Sequence, residues 1–239
     1  MKLLHNIYQV GGPGMTHFFD ATVYLIKGTQ GWFLIDCGTP EGYEQIKANI
    51  RRAGADPADI RRILGTHGHY DHVGAAHLWK EEFGCELLLH ERDTAQVEAG
   101  DSLKTSAAIL YGTASTPCRV DGRIEEGDIW QGEDLAVEAV YTPGHTMGSV
   151  SFDVTAGGYH LLVAGDAVWG GFSEKIGSDE AAWRATLDKI TARHFDFYTF
   201  GHVNAQLIAD ADQRLKEAKM AFANYYNPWF KTFFEEYHY

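Results

Sequence analysis

The sequence predicts an α/β protein, one layered domain built from two sheet-plus-helix halves. Three observations carry that expectation. Short apolar runs of strand character alternate with segments of helical spacing in both halves of the chain. No internal repeat, low-complexity tract or Ser/Pro-rich linker interrupts them, so residues 1–239 read as a single domain. A length of 239 residues, 45% hydrophobic and 22% charged, supplies material for a buried core.

The elements follow in order. Strands are expected at about 3–10, 21–27 and 31–36, and Glu41 to Gly54 shows helical spacing through Tyr43, Ile46 and Ile50, with Gly54 as its stop. A strand over Arg62–Thr66 leads into a histidine-rich loop from His67 to Gly74, a helix from Ala75 to Phe83 and a strand at about 86–90. Residues 91–127 read as one or two helices and a loop. Strands return at about 135–142, 148–154 and 159–165. Ser178 is the expected cap of a helix reaching Arg193, because its hydroxyl can accept from the free first-turn N–H groups. A strand near 195–200 follows. The last helix is expected from about Ala205, with Leu207, Ala211, Leu215, Ala218, Phe222 and Tyr226 as its buried stripe, ending at Asn227-Pro228.

Composition narrows the function. No run approaches the roughly 18 apolar residues that span a bilayer, so a membrane-spanning protein is not expected. A net charge of −13 disfavours nucleic acid as a partner, since polyphosphate chains are repelled unless basic residues gather in one place. Cys37, Cys85 and Cys118 are odd in number, widely spaced and without a CxxC pair, which argues for reduced thiols rather than a disulfide framework or a cysteine zinc site. No positive neighbour lowers the pKa of Cys37, which reads as a small buried residue. The N-terminus carries no sustained apolar stretch, so a cytoplasmic location is expected. Twelve histidines stand out.

Their placement points to chemistry. In Thr66-His67-Gly68-His69-Tyr70-Asp71-His72, four ligand-type side chains fall within six residues on a loop leaving a strand. Neutral imidazoles with a carboxylate suit zinc or a similar first-row ion. Thr142-Pro143-Gly144-His145, Ala164-Gly165-Asp166 and Phe200-Gly201-His202 each follow a strand-like run, with glycine before each candidate ligand. Ligand groups at the ends of several strands converge when those strands lie side by side.

With these residues in place, the sequence resembles the metallo-β-lactamase superfamily, whose HxHxDH signature is matched by His67, His69, Asp71 and His72. The resemblance runs from Phe33-Leu34-Ile35-Asp36-Cys37-Gly38 to His202 and implies a four-layer αββα sandwich. It assigns His67, His69 and His145 to one metal ion, Asp71, His72 and His202 to a second, and Asp166 to a bridge between them. Two divalent ions are implied, zinc first, with iron or manganese as alternatives, activating a bridging hydroxide that Asp71 orients. Asp36 is expected to hold the histidine loop by hydrogen bonds, or to be a strand-end turn residue.

Other features stay open. His5, His77, His90, His160, His194 and His238 have no paired spacing and read as surface or core residues. His17 lies in the loop Gly11 to Phe19, either an ordinary hairpin or a flap touching substrate. Phe18, Phe19, Trp169 and Phe172 are candidate apolar walls for a substrate, Trp169 and Phe172 alternatively a packed turn. The aromatic tail Trp229 to Tyr239 either packs on the chain's own surface, caps the site or forms a homo-oligomer interface.

The resemblance implies a dinuclear hydrolase. Asp166 points towards the glyoxalase II, lactonase and phosphodiesterase branches, since zinc β-lactamases usually lack that aspartate. A small ester, thioester or lactone is the expected substrate. Arg214, Lys216, Lys219 and Lys231 would serve a glutathione thioester, or lie on a solvated face. A phosphodiesterase and a mononuclear iron persulfide dioxygenase are the alternatives. The flavodiiron pattern is disfavoured, because His69 stands where it has Glu and no flavodoxin-like domain fits in 239 residues.

Overall fold

The computed structural model describes residues 1–202 and 207–223. In the first half, β1 (Lys2–Leu4), β2 (Ile7–Gly11), β3 (Val23–Gly28) and β4 (Gly31–Ile35) form an antiparallel meander. Strands β5 (Ile60–Leu64), β6 (Glu86–Leu89) and β7 (Gly122–Arg123) extend it in parallel. Their connections carry α1 (Tyr43–Arg52), α2 (Tyr70–Val73), α3 (Ala76–Phe83), α4 (Glu91–Ala99) and α5 (Ala107–Leu110). The second half repeats the scheme. Strands β8 (Ile129–Gly132), β9 (Leu135–Tyr141), β10 (Val150–Ala156) and β11 (Tyr159–Val163) are antiparallel neighbours, and β12 (Phe197–Thr199) joins β11 in parallel after α6 (Glu180–Thr191). Then come β13 (Ile208–Ala209), antiparallel to β12, and α7 (Ala211–Ala223). One residue pair, Gly28 with Gly132, joins β3 to β8 and so links the halves.

Strand periodicity sorts the side chains into three cores. Tyr24, Ile26, Phe33 and Ile35 meet Val137, Ala139, Phe152, Val154, Leu161 and Val163 between the two half-sheets. Leu25 and Leu34, one position out of phase, face the opposite way and pack with Ile46 and Ile50 of α1 and Trp79 of α3. Leu162 likewise turns outward to Trp183, Leu187 and Ile190 of α6 and to Leu215 and Ala218 of α7. Helix, sheet, sheet and helix thus form the αββα sandwich.

Several element boundaries differ from the sequence expectation. The strand expected over 3–10 is split by a turn at His5-Asn6, where Asn6 takes φ +60°. Helix α2 lies inside the expected histidine loop. Helix α6 is capped by Asp179, whose carboxylate accepts from Ala182 N–H at 2.7 Å, while Ser178 Oγ donates to the carbonyl of His145 at 2.7 Å. The last helix begins at Ala211; Leu207 precedes a short strand, and residues 203–206 and 224–239, with Tyr226, Pro228, Lys231, His238 and the aromatic tail, lie outside the described residues. No helix among the described residues is long and apolar enough to cross a membrane.

Candidate metal centre

The candidate residues gather where four strands end. Strands β5, β9, β11 and β12 finish at Leu64, Tyr141, Val163 and Thr199, and His67, His145, Asp166 and His202 follow within three or four residues. The loop after β5 also delivers His69, and α2 delivers Asp71 and His72. Among the described residues, His67, His69 and His145 form one group, Asp71, His72 and His202 a second, and Asp166 joins His67 and His72 in a third; the ligand atoms within each group lie within 4.8 Å of one another.

Asp166 sits between the first two groups. Its Oδ2 is 3.3 Å from His145 Nε2 and 3.2 Å from His202 Nε2, while its Oδ1 is 3.3 Å from His72 Nε2. On the second side, Asp71 Oδ2 lies 3.4 Å from both His72 Nε2 and His202 Nε2. On the first, His69 Nδ1 lies 3.0 Å from His67 Nε2 and 2.9 Å from His145 Nε2. The approach of Asp166 depends on Gly201, where a Cβ would fall 1.9 Å from Asp166 Oδ1 and 2.9 Å from His72 Cε1.

Four of the five imidazoles are held from behind, which fixes the nitrogen facing the centre. Asp36 Oδ2 accepts from His72 Nδ1 at 2.7 Å and from Thr66 Oγ1 at 2.8 Å, and its Oδ1 accepts from Thr66 N–H at 2.7 Å. The carbonyl of Gly171 accepts from His145 Nδ1 at 2.7 Å, and that of Ile176 from His69 Nε2 at 3.3 Å. His67 Nδ1 lies 3.1 Å from Thr66 Oγ1.

The donor set fits divalent cations. All seven residues except His202, whose side chain is 38% exposed, are buried. Burial first, then the neighbouring histidines, hold His67 and His69 well below the ordinary histidine pKa, keeping them neutral ligands. Burial also lowers His145, against the pull of Asp166. Burial opposes charging His72 as well, yet Asp71, Asp36 and Asp166 outweigh it and raise its pKa well above the usual value. Asp166 is pushed the other way: burial would raise it, but His202, His72 and His145 hold it well below the carboxylate range. The centre therefore attracts positive charge. His72 Nε2 and Asp166 Oδ1, both buried, face one another without a hydrogen bond, which is costly unless a further partner satisfies them.

Two supporting residues escape the sequence reading. Asp93 of α4 is buried and accepts from Gly68 N–H at 2.8 Å, Thr146 Oγ1 at 2.7 Å and Gly148 N–H at 3.1 Å, tying the loop of His67 to that of His145. Tyr111 lies beside Asp71; burial, and then that carboxylate, push its hydroxyl pKa well up. The motif spacing gives no signal for either.

The apolar candidates divide. Phe19 meets Tyr111 edge-on at 5.1 Å, and Phe18, 80% exposed, tilts against Phe19. His17 packs edge-on to Phe19 at 5.2 Å. Their loop is tied down by Asp20, which accepts from His17 N–H at 2.9 Å, from Thr39 N–H at 2.8 Å and from Thr16 Oγ1. Phe172, 8% exposed, packs on Trp183 in the outer core, and the half-buried Trp169 donates to Tyr198 Oη at 3.4 Å beside it. His77, His90, His160 and His194 bond outside the centre, to Gly74, Arg92, Asp153 and Asp212.

Known proteins resemble this chain in sequence and fold. The family model described as metallo-beta-lactamase superfamily matches residues 18–202. A probable metallo-hydrolase of Methanocaldococcus jannaschii is 29% identical over 166 residues, 68% of this chain and 72% of that one. A hydroxyacylglutathione hydrolase of Bradyrhizobium sp. is 28% identical over 182 residues, 72% of this chain but only 62% of the relative, so the match spans less than two thirds of that protein. The crystal structure of a subclass B3 metallo-beta-lactamase of Bradyrhizobium japonicum superposes with a TM-score of 0.76 at 27% identity, covering 93% of this chain and 90% of that one.

Proposed function

The chain belongs to the metallo-beta-lactamase superfamily, and from that premise we propose that it is a dinuclear metal-dependent hydrolase of a small ester, thioester or lactone. The observation that carries the reading is the position of Asp166, with one oxygen on His72 and the other on His145 and His202. A single-ion site needs no carboxylate shared between two ligand groups. His67, His69 and His145 would hold one divalent ion, Asp71, His72 and His202 the other, and Asp166 both. Such ions, zinc foremost, supply Lewis-acid polarisation of a carbonyl and a nucleophile at neutral pH.

The chain's own residues supply aim. Asp71, buried beside His202 and Tyr111, is placed to accept a proton from an attacking water and fix its direction. Asp36 holds a proton on His72 Nδ1, so that a divalent ion replacing the proton on Nε2 would meet its lone pair facing inward. His202 is the most exposed of the seven, which puts the open side of the centre on the Asp71 group. There Phe19, Phe18 and Tyr111 give an apolar edge beside a polar centre, as small-molecule sites require. The net charge of −13 works against polyanions.

A glutathione thioester is favoured by the Bradyrhizobium relative's name. The residues on α7 offer it less, because Arg214 pairs with Glu217 at 3.5 Å and Lys219 with Asp188 at 2.7 Å. The test is a substrate panel at two salt concentrations: lactones, aryl esters, glutathione thioesters, a β-lactam, bis-aryl phosphates and short RNA. The reading expects one of the first three to be turned over fastest. Fastest cleavage of RNA, increasing at low salt, would overturn it.

A further inference from the structure

A cavity of about 620 Å³ opens at the opposite end of the sheets from the metal centre. Strands β4, β5 and β6 run parallel, and the cavity is lined by residues at their starts, among them Gly31, Trp32, Arg61, Arg62 and Glu86. His67 follows the other end of β5. At ~3.3 Å per residue, the five residues of β5 separate the two places by about 16 Å.

The strand register explains why two arginines meet there. Trp32 pairs with Ile60 but Phe33 with Arg62, so Arg61 is the extra residue of a β-bulge. A bulge re-aims side chains that would otherwise alternate between faces. Arg61 and Arg62 accordingly line the same cavity. Arg62 is engaged by Glu86 at 3.4 Å. Arg61 is exposed and makes no ion pair among the described residues, although carboxylates outnumber basic side chains, 33 to 20. Its stem lies across Gly31, where a Cβ would come 3.4 Å from Arg61 Cγ. Trp32 and Trp130 are half-buried and both line the cavity, Trp32 packed on the outer core and Trp130 on the core between the half-sheets.

A guanidinium presents a planar fork to a carboxylate or phosphate, and indole faces accept flat rings. The volume lies within the range of small-molecule sites. We propose that this cavity is a second ligand site, distinct from the hydrolytic centre, for a small planar anion whose acidic group pairs with Arg61 and whose ring lies against Trp130.

The metal-loaded full chain is titrated with benzoate, phenyl phosphate and neutral benzamide, following tryptophan fluorescence and calorimetric heat, with ester hydrolysis assayed in parallel. The two anions separate carboxylate from phosphate recognition. Saturable binding is expected for at least one anion and not for benzamide, weakened about tenfold or more by Arg61→Ala and only in part by Arg61→Lys. The kcat/KM of Arg61→Ala on the ester should stay unchanged. The proposal is overturned by no saturable signal up to about 10 mM, or by binding that Arg61→Ala leaves intact and that competes with the ester, which would put the anion on the metal centre.

Discussion

Asp71 shows how much a single side chain decides here. Its carboxylate serves a ligand group and faces the open side, so Asp71→Ala should cut kcat by about 10²-fold or more, the scale of a lost general base, while KM moves little. Steady-state kinetics on a hydrolysed ester, read beside metal content, checks this; an unchanged kcat with the metal retained contradicts the role. At this scale the sequence was highly informative about position. Seven candidate ligands announce themselves because histidine and aspartate crowd behind glycines at strand ends, and the structure brings all seven together. Tyr111 and Asp93 stay silent in the sequence because each acts alone from a helical region, and only the folded chain shows what they touch. Phe172 is ambiguous for the opposite reason: an aromatic ring reads alike as pocket wall and as core, and in the folded chain it packs against Trp183.

Loops and their anchors govern the next scale. The loops after β5 and β9 belong to different halves, and Asp93 latches them together through two backbone N–H groups and one hydroxyl. Truncation strands these buried donors at about 1–3 kcal/mol per group, but it also relieves the cost of a carboxylate whose pKa burial raises. The expected net loss for Asp93→Ala is about 3 kcal/mol in urea unfolding, with a smaller loss for Asp93→Asn, which keeps one acceptor oxygen. A loss no larger than that of a surface substitution would show that the loops do not depend on this latch. Elements with strong periodicity, such as β9, β10 and α1, were legible in the sequence. Strand β8 was not, because its four residues alternate exposed with half-buried and present no apolar face. The cap of α6 was misread by one residue because Ser178 and Asp179 are both good caps, and only the tertiary bond from Ser178 to His145 decides between them.

In the whole molecule, two similar halves meet through one sheet-to-sheet core and place their loops on one centre. The two-half pattern was readable because strand and helix alternate twice along the chain. Some of the polar links that join the halves were not: a glycine pair and a buried aspartate have no periodic signature. Because both halves contribute ligands, metal ions should act as a clasp, and anything bound only by the folded state stabilises it. The most direct test of a dinuclear centre is elemental analysis of the protein as purified, together with stepwise removal by chelator and return of metal while hydrolysis and Tm are followed. The account predicts two divalent ions per chain, loss of activity and a lower Tm on chelation, and recovery that needs the second equivalent. One metal ion per chain, with full hydrolysis restored by a single equivalent, would contradict it.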